Sequence, residues 1–146
     1  MKINPEITTR QQLIISWLLF ISVMMLHLID YTMDAAVQDD FIRFKADPGA
    51  KGFDYAVVMF AIQWLPPYLI ILFRNQFVAW FSIAMGCSTF LLFAAHHLNH
   101  VMKPGPYGIF HVTAYMQEFL AMTCIVLAIK WIRELKKEAA AIEGEK

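Results

Sequence analysis

Charged residues are scarce in this chain of 146 residues, at 16% of the total, whereas about a quarter is usual for a soluble domain. The sequence also has no glycine-rich phosphate loop, no nucleophile elbow and no CxxC pair. Its two cysteines, Cys87 and Cys124, are far apart, so neither a disulfide framework nor a zinc knuckle is indicated. The net charge of zero gives no electrostatic reason to expect nucleic acid as a partner. These absences argue against an enzyme that acts alone.

Long apolar runs are the dominant feature that is present, with 59% hydrophobic residues and a mean hydropathy of +0.51. A helix needs about 20 mainly apolar residues to cross the hydrocarbon core of a bilayer. Four runs qualify, over residues 12–31, 55–73, 77–98 and 107–132. The sequence therefore predicts an all-α fold, an integral membrane antiparallel four-helix bundle. It forms one domain over 1–146 and ends in a charged cytoplasmic tail over 133–146.

Connecting segments refine this prediction. The turn at 73–77 is so short that the second and third helices must be antiparallel neighbours. Pro66 and Pro67 remove two backbone donors from the second helix, which predicts a kink there. The first outer loop, 32–53, repeats apolar residues at helical spacing, and this predicts a short helix on the membrane surface.

Histidines occur on three of the four predicted helices at nearly the same depth. His27 lies one turn inside the outer end of the first helix, His96 holds the same position in the third, and His111 in the fourth. His100 follows His96 by four residues and shares its face. Ionisable groups within a bilayer are costly and mark functional sites. We therefore expect His27, His96, His100 and His111 to line one cavity that opens outward.

Other polar side chains share the faces of these histidines or lie deeper between the helices. They are Asp30 and Asp34 on the first helix, Gln63 on the second, Asn99 on the third, and Tyr115 and Glu118 on the fourth. His97 points about 100° away from His96 around its helix, so we expect it to lie apart from this cluster. Glu118 is expected near mid-membrane, facing the bundle interior.

Three functions remain open on this basis. Imidazole is the commonest ligand of transition metals, so the cavity could bind haem b or an iron, copper or zinc ion in a redox or electron-transfer role. The chain could instead be a non-catalytic accessory subunit or assembly factor, with other membrane subunits or further copies of itself as partners in the lipid bilayer. A small proton-coupled transporter component is the third alternative, since His and Glu can relay protons.

Lysine and arginine placement predicts the orientation in a membrane of the bacterial inner-membrane type. The segments on the side of the two termini hold eight of these residues and the opposite loops hold four. Because loops rich in Lys and Arg stay in the cytoplasm, both termini should be cytoplasmic. A cysteine at position 146 should resist a membrane-impermeant label on intact cells, while one within 39–47 reacts. The reverse pattern would place the histidines on the cytoplasmic side.

Overall fold

The computed structural model of this chain consists of helices. It describes the backbone over residues 7–37, 58–101 and 108–144, and the side chains over 7–29, 58–98 and 112–144. Within the described residues we number four helices, α1 (Thr9–Val37), α2 (Leu65–Leu72), α3 (Gln76–Val101) and α4 (Gly108–Gly144). No strand occurs within these residues. The predicted all-α class and helix count are therefore confirmed.

Two contacts at opposite ends show how α1 packs on α4. Thr9, at the start of α1, donates to Glu134 near the end of α4, with Oγ1 and Oε1 2.6 Å apart. At the other end, Nδ1 of His27 lies 2.9 Å from Oγ1 of Thr113 on the first turns of α4. Because the start of one helix meets the end of the other, α1 and α4 are antiparallel.

Aromatic packing joins α1 to α3 in the core. The indole N–H of Trp17 donates to Oγ of Ser82 over 2.8 Å, and both side chains are buried. Phe20 packs edge-on against Trp17 and against Phe93, with ring centroids 5.8 Å apart in each pair. Residues further along α1 thus meet residues further along α3, so these two helices run parallel. The chain alternates direction from helix to helix.

Apolar side chains cover the outside of the bundle as well as its core. Phe77, Leu91 and Phe119, for example, are all more than half exposed. Soluble monomers rarely expose apolar surface over such an extent. Within the described residues, α1, α3 and α4 are long and apolar enough to cross a membrane, and 58–72 is a shorter apolar helical segment. These are the properties of a membrane protein.

The helices α1 and α4 are longer than the apolar runs predicted. The first continues to Val37, so residues 32–37 extend it; the remainder of the predicted surface helix, from residue 38 to residue 53, lies outside the described residues. The fourth continues through the charged tail to Gly144, because Ala, Glu and Lys are strong helix formers. Its extension also makes a contact, an ion pair between Glu138 and Arg74.

The second apolar segment is helical over 58–72 except for a turn at residues 63 and 64. At this turn the N–H of Gln63 is shared between the carbonyls of Met59 and Phe60, each 3.2 Å away. Pro66 and Pro67 follow at once, and neither has an N–H to continue the helical pattern. The predicted kink is confirmed as a short break.

Side chains satisfy the backbone groups that helix ends leave unpaired. The guanidinium of Arg10 donates to the carbonyl of Ile70, at 2.7 and 3.0 Å, and to that of Ile71 at 3.0 Å, which closes the end of α2. Oδ1 of Asn75 accepts the N–H of Val78 over 2.9 Å and caps the start of α3. The connection between α2 and α3 is therefore held at both sides.

Gly86 sets the distance between α3 and α4. A Cβ at this position would lie 2.8 Å from Cγ1 of Ile125 and 3.5 Å from the carbonyl oxygen of Ala121. The absence of a side chain lets the backbones approach closely, as small residues do between membrane helices. The contact places Gly86 of α3 opposite Ala121 and Ile125 of α4.

We expect Gly86→Leu to destabilise the bundle by about 1–3 kcal/mol, because the added side chain overfills a packed interface. Ala84→Leu is the matched control, since Ala84 is exposed on the same helix. Equilibrium unfolding in detergent measures both variants. Equal stability of the two would show that α3 and α4 do not pack closely at Gly86.

Candidate functional site

His27 of α1 and His96 of α3 come together near the start of α4, and we call this part of the bundle, with the adjacent His97, the histidine end. The ring centroids of His27 and His96 are 6.1 Å apart, with the ring planes at 83°. His27 is partly buried and His96 is exposed. The structure thus brings together two of the histidines that the sequence predicted as ligands, from two different helices.

A bond to α4 fixes the direction of the His27 ring. Its Nδ1 lies 2.9 Å from the hydroxyl oxygen of Thr113, which is buried. With Nδ1 engaged in this hydrogen bond, a metal held by His27 would be bound through Nε2. Metal-binding histidines commonly have their second nitrogen held in this way.

His97 turns to the other side of α3 and meets Glu118. Its Nδ1 lies 3.0 Å from Oε1 of Glu118, and the two side chains are only 7% and 20% exposed. The ring of Tyr115 stands nearly perpendicular to that of His97, with centroids 4.5 Å apart. This pair joins α3 to α4 inside the bundle.

His97 lies on another side of α3 from His96, as its spacing predicts, but it contacts Glu118, a side chain predicted to lie with the other histidines. The angle around α3 is as predicted, because His97 is buried while the adjacent His96 is exposed. The spacing of residues along α3 does not tell which side of α3 packs against α4, so it could not predict that Glu118 lies opposite His97. Glu118 faces the interior, as expected, and its described partner is His97.

Several predicted site residues lie outside the side chains that the structure describes. They are Asp30, Asp34, Asn99, His100 and His111, and the backbone of each is helical. Among the described residues no group of three His, Cys, Asp or Glu could hold a metal ion. Gln63 is described and lies deeper, where its Nε2 donates to Oγ1 of Thr89 over 2.9 Å.

The spacing of His27 and His96 is relevant to metal chemistry. Imidazole nitrogen binds transition metals at about 2.0 Å, so two rings that held one metal would have their centroids within about 6 Å of each other. The centroids of His27 and His96 are 6.1 Å apart. If a metal bound here, these two residues would be the ones to hold it.

The chain matches no protein-family model, no curated protein and no solved structure. The function is therefore inferred from the side chains at the histidine end and their contacts. Those contacts form two groups, His27 with His96 and Thr113, and His97 with Glu118 and Tyr115.

We expect Glu118→Leu to lower stability by about 1–3 kcal/mol, because it leaves a polar nitrogen of buried His97 without its acceptor. Glu143→Leu, on the exposed end of α4, is the control and should have little effect. The free energy of unfolding of the double variant His97→Leu/Glu118→Leu completes a double-mutant cycle. The double variant should lose less stability than the two single variants lose together, since both polar partners are gone. Strict additivity would contradict a direct bond between the two side chains.

Proposed function

We propose that this chain is an integral membrane protein that binds a transition metal through His27 and His96 and transfers electrons. The metal is the iron of a haem b or a bare iron or copper ion, since imidazole nitrogen is a good ligand for each. The observation that carries the proposal is the 6.1 Å separation of two imidazole rings from different helices.

The contact between His27 and Thr113 supports this proposal. A ligand ring that is held by a hydrogen bond at Nδ1 presents Nε2 in a fixed direction and binds a metal more tightly than a free ring. Thr113 is buried and lies on a third helix, so α4 orients a ligand that α1 supplies. His96 on α3 completes the pair.

The surroundings are suited to electron transfer. Phe20 and Phe93 pack against each other between α1 and α3, about two turns before His27 and one turn before His96 along their helices. Apolar side chains beside a metal keep water away and help to set its reduction potential. By the distribution of Lys and Arg, the histidine end faces away from the cytoplasm, where the metal could exchange electrons with an outer partner.

Absorbance and metal analysis of the detergent-purified protein test this function. An intense band near 400 nm that sharpens on reduction would identify haem. Stoichiometric iron or copper without that band would identify a bare ion. Absence of both from protein purified from its native membrane would overturn the proposal and favour the accessory-subunit alternative.

We expect His27→Ala and His96→Ala each to abolish most metal or haem binding while the protein still inserts. Insertion depends on the apolar runs, which one alanine hardly changes. Thr113→Val should keep the ligand but weaken binding by about 10–100-fold, because the bond that orients His27 is lost.

Thr123→Val is the matched control for Thr113→Val. Thr123 is on the same helix, and its hydroxyl donates to the carbonyl of Phe119 in its own helix over 2.9 Å. Its replacement should leave the dissociation constant unchanged. Equal effects of the two substitutions would remove the role assigned to Thr113.

A further inference from the structure

Three polar side chains lie fully buried in the bundle, one each from the second apolar segment, α3 and α4. They are Gln63, Thr89 and Gln117, at 0%, 1% and 0% exposure. Thr89 follows Gly86 by about one turn, and Gln117 precedes Ala121 by about one turn on the antiparallel α4. Since a Cβ on Gly86 would lie 3.5 Å from the carbonyl oxygen of Ala121, Thr89 and Gln117 both lie within about one turn of this close contact between α3 and α4. We call these three side chains the amide layer.

Hydrogen bonding within the amide layer is incomplete. Nε2 of Gln63 donates to Thr89 over 2.9 Å. Within the described part of the chain, Oε1 of Gln63 and both polar atoms of Gln117 are buried without a hydrogen-bond partner. Exchanging the side-chain nitrogen and oxygen of either glutamine leaves the number of unpaired atoms the same, because each amide carries one donor group and one acceptor. Buried polar atoms in proteins are almost always paired, so these three require a partner.

The break in the second apolar segment adds acceptors beside Gln63. Pro66 and Pro67 have no N–H, so the carbonyls of Ile62 and Gln63 cannot receive the usual helical bonds from them. Irregular backbone at membrane depth is tolerated where it is buried in protein or faces a polar cavity. Interrupted helices in membrane proteins recur at binding sites for this reason.

We propose that the amide layer is a binding site for a small neutral molecule that both donates and accepts hydrogen bonds, the class to which water belongs. The unpaired atoms include both acceptors and an N–H₂ donor, so an occupant must offer both kinds of group. Gln63, Thr89 and Gln117 carry no formal charge. An ion would therefore be buried without a counter-charge, which is strongly unfavourable.

The size of the occupant follows from burial. All three side chains are closed off from the outside, so a large ligand could enter only if helices separated. Buried water makes about three hydrogen bonds to groups of this kind. Water is therefore the probe for the experiments.

The direction of a stability change tests the site. If a bound molecule pairs with Gln117, then Gln117→Met removes part of a satisfied network and should lower the unfolding midpoint by several degrees. If Gln117 had no partner, the same change would remove two unpaired polar atoms and raise the midpoint. Gln76→Met, at the half-exposed start of α3, is the matched control. A higher or unchanged midpoint for Gln117→Met would overturn the proposal.

Solid-state NMR of the unmodified protein gives a second test, which does not depend on a variant that folds. The protein is labelled with ¹⁵N in glutamine side chains, placed in deuterated lipid, and magnetisation is transferred from water. We expect transfer to the side-chain nitrogens of Gln63 and Gln117 at a rate close to that for exposed Gln11, which serves as the positive control. Transfer to Gln11 alone would show that the amide layer is dry and would refute the site.

Discussion

Buried polar side chains in this bundle pair across helices, because neither lipid nor an apolar core can pair with them. Trp17 meets Ser82 in the core, and His97 meets Glu118 nearer the histidine end. A hydrogen bond has direction, so these pairs determine how each helix is rotated about its axis, whereas apolar packing alone tolerates several rotations. The position of every other side chain follows from that rotation.

The helix α4 has the central part in this arrangement. It supplies Thr113 to His27 on α1 and Glu118 to His97 on α3, from positions little more than one turn apart. With His97 directed inward, the adjacent His96 must point to another side of α3, towards His27. The contact of His97 with Glu118 and the pair of His27 and His96 therefore both depend on how α3 is rotated about its axis.

The apolar runs and the break at Pro66 were predictable, because both depend on local chemistry: length in a bilayer and a missing N–H. The inward direction of Glu118 also followed from the cost of exposing a carboxylate to lipid. The partner of Glu118 could not be predicted. His96 and His97 point about 100° apart around α3, and the side of α3 on which α4 packs decides which of them meets Glu118. Gly86 lies on that side, and its close contact with Ile125 is a property of the folded backbone.

The continuous helix of α4 has a consequence for measurement. Its 37 residues run from the histidine end through the charged extension, which continues about 18 Å past Ile132 at 1.5 Å per residue. The extension is tied back to the bundle by Arg74 and by Thr9. A spectroscopic label near Gly144 would therefore move as one rigid body with the whole bundle. Its height above the bilayer would report the tilt of the protein in the membrane.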